Sequence, residues 1–108
     1  MASPGSETEK IIERYCEQLK KMGIVVEQTI LFGSHARGKV REGSDIDLVI
    51  VSSAFKDMST RERLELLGIA AARLWQPIEA LGYTPEESAH VEPATFLENI
   101  MQTGIPMG

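Results

Sequence analysis

A nearly continuous apolar run in the middle of the chain, Ile46–Val51 (IDLVIV), constrains the fold more than any other feature. Only Asp47 interrupts it, and the run lacks the polar alternation of a strand with one face in water. Such a run is typical of a central strand that is covered on both faces. The chain is therefore predicted to place helices against a sheet, which excludes a helical bundle.

The remaining elements are predicted from cap patterns and apolar spacing. Three pairs of residues follow the capping-box pattern that begins a helix: Ser6 with Glu9, Ser59 with Glu62, and Thr84 with Glu87. Strands are predicted over residues 24–32, 46–51 and 78–83, and a last helix around 96–101. The final GIPMG is left open between an edge strand and a contact with a partner. This order predicts an α/β or α+β fold with a small mixed sheet of three to four strands and helices packed on it.

Two residues near the second helix carry specific expectations. Trp75 is expected to end that helix, with Pro77 stopping it, and to lie in the core. Gly68 falls in the middle of the helix, where glycine is unfavourable, and a close approach to the sheet would explain it.

Length and charge limit the classes of protein. The 108 residues predict a disordered tail at 1–5 and one domain at 6–108. The net charge of -5 argues against binding to long nucleic acid. Neither a secretory signal nor a membrane span is visible, so a cytoplasmic protein without membrane contact is expected. Cys16 is the only cysteine, which excludes an internal disulfide, and it is expected to pack rather than react.

Two acidic residues open the central strand. Asp45 and Asp47 are two positions apart, so in a strand they point to the same side, whereas Ile46 points to the other. Neighbouring carboxylates repel unless a cation lies between them, and Mg²⁺ prefers carboxylate and phosphate oxygens. The pair therefore indicates a metal and phosphate site, although solvated turn residues ending a strand would give the same pattern.

A turn upstream supplies groups suited to phosphate. Gly33 permits a close approach of a ligand, Ser34 offers a hydroxyl and an N–H, and Arg37 and Lys39 could neutralise phosphate oxygens. Lys39 is equally consistent with a solvated loop charge. The stretch 33–39 also matches the P-loop pattern G-x-x-x-x-G-K, but a valine follows where that loop needs Ser or Thr. His35 is left open between facing the nucleotide and being partly exposed.

The spacing of these two motifs is similar to that of a known superfamily. Gly33-Ser34, ten residues, and then Asp45-Ile46-Asp47 resembles G-S-x₁₀-D-x-D of the DNA polymerase β-like nucleotidyltransferases. The stretch GSHARGKVREGSDIDLVIV resembles in particular the minimal nucleotidyltransferase (MNT) domains, and the likeness extends over about residues 8–104. It implies a fold like the polymerase β palm.

The resemblance also implies roles for single residues. Asp45, Asp47 and Glu79 would be the catalytic metal ligands, and Gly33 and Ser34, with Arg37 and Lys39 nearby, would bind the nucleotide. Glu79 departs from the aspartate that is usual in relatives. Alternatively, Glu79 points to solvent from an edge strand.

The implied function is the transfer of a nucleoside monophosphate to a hydroxyl; AMP from ATP is expected, and another NTP is left open. The family uses two Mg²⁺ ions, with Mn²⁺ as a substitute. MNT domains accompany HEPN-domain toxins, so the resemblance implies an MntA-type antitoxin that modifies a tyrosine of a HEPN partner. The alternative is a module that binds nucleotide without turnover and neutralises its partner by contact. A homo-oligomer is left open.

Overall fold

The computed structural model describes residues 6–36 and 45–107, and the predicted tail at 1–5 lies outside these ranges. It contains four helices and four strands within them, with a short 3₁₀ helix at Ser53–Phe55. In chain order the elements are α1 (Ser6–Lys21), β1 (Gln28–Phe32), β2 (Ile46–Val51), α2 (Thr60–Arg73), β3 (Ile78–Tyr83), α3 (Pro85–Ala89), α4 (Phe96–Thr103) and β4 (Ile105–Pro106).

The four strands form one mixed sheet in the order β3-β2-β1-β4. β2 is central: it pairs antiparallel with β1 and parallel with β3. The short β4 pairs antiparallel with the other edge of β1, so the terminal segment forms an edge strand. The prediction of a small mixed sheet carrying helices is therefore confirmed.

Alternate residues of β2 face two separate apolar layers. Leu48 and Ile50 are fully buried in the larger cluster, which contains residues of α1 and α2. Val49 and Val51 are buried in a smaller cluster with Ile100 of α4. Five of the six β2 residues are buried, which confirms the prediction of a central strand covered on both faces. Asp47 is the sixth, and by the alternation of the strand it shares the face of α4.

The first strand is shorter at its start than predicted. β1 begins at Gln28 rather than at Ile24. The N–H of Ile24 donates to the carbonyl of Leu19 at 2.9 Å, so it satisfies the end of α1 instead of a sheet partner. Gly23, with φ 89°, turns the chain at this point.

The expectations for the end of α2 are wrong. α2 ends at Arg73, and Trp75 lies beyond it with φ 56° and a side chain that is 91% exposed. The left-handed backbone conformation ends the helix and directs the indole away from the core. Gly68 is exposed as well, and no heavy atom lies within 4 Å of where a Cβ would stand. It makes no close approach to the sheet.

Two predicted capping boxes are present with both of their hydrogen bonds, at Ser59 with Glu62 and at Thr84 with Glu87. Cys16 is half-buried against the larger cluster, where burial raises the pKa of its thiol; this agrees with a packing role. No helix within the described ranges has the length and apolar character that crossing a bilayer requires.

Candidate functional site

The glycine turn and the acidic strand meet in the fold. Phe32, the last residue of β1, pairs in register with Asp47 of β2. Gly33 follows with φ 74°, and a Cβ on it would collide with Oδ2 of Asp47 and lie 3.1 Å from Cγ. A Cβ at this position would have to push the Asp47 carboxylate aside, so glycine lets the turn lie this close to it. The two motifs, ten residues apart in sequence, are therefore one structural unit.

The third candidate carboxylate lies on the strand beside Asp47. Glu79 of β3 pairs in register with Asp47 of β2, so the two side chains share the face of the sheet that carries α4. Glu79 is exposed on an edge strand, as the alternative interpretation expected. Asp45 is also exposed and directly precedes β2.

The electrostatics of Asp47 reflect these neighbours. Its pKa is raised above the ordinary aspartate value, first by partial burial and then by the negative charges of Glu79 and Asp45. A smaller effect of opposite sign comes from His35. Asp47 is therefore close enough to Glu79 and to Asp45 to be repelled by both, which is the situation that a bound cation relieves.

The charge of this site suits a divalent cation, but the described side chains are not arranged in advance to hold one. The salt bridges within the described residues are Arg61–Glu65 and Arg63–Glu87, so no described basic side chain pairs with a candidate carboxylate. Within the same residues, however, no group of three or more His, Cys, Asp or Glu side chains is arranged to hold a metal ion. The described side chains alone thus do not complete a metal site, and phosphate oxygens and water would have to supply the remaining ligands.

The structure describes only some of the predicted phosphate-binding residues. Gly33 and Ser34 are half-buried in the turn that ends β1. Arg37 and Lys39 lie outside the described residues, and so does most of the connection to Asp45. Their predicted role stays a prediction.

His35 is buried rather than partly exposed, since it is 6% exposed. Its predicted position facing the nucleotide stays a prediction. Its Nδ1 is buried and has no hydrogen-bond partner among the described residues. The sequence offered no signal for this burial, since histidine after Gly-Ser is compatible with either side of a turn.

A cleft next to Gly33 was also not predicted from the sequence. It has a volume of about 390 Å³, and Phe32, Gly33, Phe96 and Asn99 are among its lining residues. The Phe32 and Phe96 rings meet edge to face, with centroids 6.0 Å apart. A wider groove of about 1150 Å³ runs along α1 and is lined by neither the glycine turn nor the candidate carboxylates, so size alone does not identify the site.

Comparisons with known proteins identify the family and the fold. Residues 9–100 match the family model of the nucleotidyltransferase domain. The fold is similar to that of a Sulfolobus solfataricus protein assigned as a nucleotidyltransferase (TM-score 0.58, 20% identity, 92% of this chain and 74% of that chain). It is also similar to a chain of a toxin–antitoxin structure with AMP-PNP (TM-score 0.62, 17% identity, 96% of this chain and 73% of that chain). At these identities the two structures show a shared fold. No curated protein matches the sequence significantly.

Proposed function

The chain belongs to the nucleotidyltransferase domain family, and we propose that it transfers a nucleoside monophosphate, expected to be AMP from ATP, to a hydroxyl group. The observation that carries this proposal is the contact between the Gly33 turn and the carboxylate of Asp47. A phosphate held at the turn would lie next to the acidic side chain, and transfer to a hydroxyl needs this proximity.

Each candidate residue has a part in the proposed reaction. Asp45, Asp47 and Glu79 would hold Mg²⁺ or Mn²⁺, which supplies positive charge for the phosphates and lowers the pKa of the acceptor hydroxyl. Ser34 and the backbone N–H groups of residues 33–35 would bind the outer phosphates. The positive charge would offset the repulsion that the Asp47 carboxylate experiences from the neighbouring carboxylates.

The acceptor is proposed to be a protein. The toxin–antitoxin structure with AMP-PNP shares the fold, and this likeness supports ATP as donor and a partner protein as acceptor. Together with the resemblance to MNT domains, it supports an antitoxin that attaches AMP to a tyrosine of a HEPN-domain partner.

A second candidate function is favoured by two observations. Glu79 is exposed on an edge strand, and the described residues contain no preformed group of three metal-binding side chains. Both features suit a module that binds nucleotide weakly and neutralises its partner by contact alone.

The discriminating experiment is incubation with ATP labelled at the α-phosphate, Mg²⁺, and the protein encoded by the neighbouring gene. Transfer of label to that protein, lost in Asp47→Asn and retained in Asp57→Asn, supports the enzyme. Asp57 is a suitable control because it is an exposed aspartate outside the site, between the 3₁₀ helix and α2. A stable complex without transfer supports the contact mechanism, and label transfer by Asp47→Asn at the wild-type rate would defeat the assignment.

A further inference from the structure

One buried polar atom has no hydrogen-bond partner within residues 6–36 and 45–107, and it is Nδ1 of His35. Other buried polar side chains are satisfied: the Ser52 hydroxyl donates to the Val25 carbonyl at 2.7 Å, and the Thr84 hydroxyl accepts the Glu87 N–H at 3.1 Å. An unsatisfied buried polar atom destabilises a fold, and such atoms are rare in native proteins. A functional use would explain why this one is present.

The position of His35 links it to the candidate nucleotide site. It is the third residue of the turn that starts at Gly33, and it directly follows Ser34. Burial and the neighbouring carboxylates raise the pKa of Asp47, and His35 acts in the opposite direction. His35 is part of the same turn as the glycine that lies against the Asp47 carboxylate.

The chemistry of the ring limits what can satisfy it. Neutral imidazole carries one N–H and one acceptor nitrogen, and the neighbours within the described residues provide no partner for Nδ1. Mg²⁺ prefers oxygen ligands, so a magnesium ion is not its natural partner. Phosphate oxygens are acceptors only, and they form short, strong hydrogen bonds with N–H donors.

We propose that His35 is a nucleotide-binding residue, which donates a hydrogen bond from Nδ1 to a phosphate oxygen when the nucleotide binds beside Gly33 and Asp47. This rests on the proposed function, because it assumes that a nucleotide occupies that site. On binding, the nucleotide would supply the partner that Nδ1 lacks among the described residues.

The proposal has opposite consequences for stability and for binding. Without nucleotide, the unsatisfied nitrogen is unfavourable, so an apolar ring of similar size should stabilise the fold. With nucleotide, the same substitution removes a hydrogen bond to a charged group. A residue with a purely structural role would not separate the two effects in this way.

The experiment uses the full chain with three variants, His35→Phe, His35→Asn and His35→Gln. Phenylalanine removes both ring nitrogens, asparagine places an amide near the position of Nδ1, and glutamine places one near Nε2. Calorimetry measures the Kd of AMP-PNP, inorganic triphosphate and adenosine, each with Mg²⁺, and thermal unfolding measures the Tm without ligand.

The expected result is that His35→Phe and His35→Gln weaken binding of both triphosphates roughly 10- to 100-fold, whereas His35→Asn restores most of it. Adenosine binding is expected to stay unchanged, and the Tm of His35→Phe should rise by about 4 °C or more. Wild-type affinity for AMP-PNP in His35→Phe, or a lower Tm in that variant, overturns the role of His35 alone. Absence of AMP-PNP binding in the wild type overturns the proposed function as well.

Discussion

Replacing Gly33 with alanine tests the contact that joins the two motifs. The new Cβ would collide with Oδ2 of Asp47 and approach its Cγ to 3.1 Å. The residue would also have to keep φ at 74°, in the left-handed region that disfavours side chains. Gly33→Ala is therefore expected to destabilise the fold for two separate reasons.

Gly23 offers a matched control for one of these reasons. It has φ 89°, but no heavy atom lies within 4 Å of an added Cβ. Gly23→Ala should therefore show only the conformational cost, about 1–2 kcal/mol. Gly33→Ala should show that cost plus about 1–3 kcal/mol for the steric overlap with Asp47. The difference between the two variants isolates the contact.

The assay is urea unfolding followed by circular dichroism, with linear extrapolation to water. Asp47→Ala in the Gly33→Ala background removes the colliding oxygens, and the Asp47 Cβ stands at an ordinary distance of 3.4 Å. The double-mutant cycle should then give a coupling energy of about 1–3 kcal/mol. Equal destabilisation at Gly23 and Gly33, or a coupling energy near zero, would refute the contact between turn and carboxylate.

Three further predictions concern Asp47, Trp75 and Tyr15. Burial, Glu79 and Asp45 raise the pKa of Asp47, so ionisation of this carboxyl group opposes folding. In urea unfolding at pH 7, Asp47→Asn should therefore be more stable than the wild type. This difference in stability should vanish below the ordinary aspartate pKa of 3.8, where the carboxyl group is neutral in both states. An unchanged stability difference across that range would contradict this. Trp75 is exposed and has φ 56°, a conformation that glycine adopts more easily. Trp75→Gly should therefore raise the free energy of unfolding by up to about 1 kcal/mol. A decrease of several kcal/mol would mean that the indole is buried. Tyr15→Phe should lose about 1 kcal/mol with the 2.8 Å hydrogen bond to the Leu67 carbonyl. Because burial raises the Tyr15 pKa, wild-type stability should also fall above pH 10.0, and less so in the Phe variant.

Local signals in the sequence predicted the elements well where one segment determines its own structure. The capping boxes at Ser59 and Thr84 form as predicted, because each depends on residues only three positions apart. The central strand was evident for a similar reason, since burial on both faces demands an unbroken apolar run. Ile24 and Trp75 were misjudged because apolar character does not reveal which backbone groups a helix end will use, or where a left-handed residue will direct its side chain.

The same difference between local signals and long-range contacts applies to the candidate site. The residue types and their spacing can be read from the chain alone: a glycine-serine turn after one strand, two acids opening the next, and a glutamate in the third. These local patterns indicate a metal and phosphate site, and their resemblance to a known superfamily implies nucleotidyltransferase chemistry.

Which of these groups meet depends on how the strands pair. Pairing of β1, β2 and β3 places Gly33 against Asp47 and sets Glu79 in register beside it, although Glu79 is 32 positions further along the chain. Strand register and burial depend on contacts between distant segments, and no short window of sequence contains those contacts.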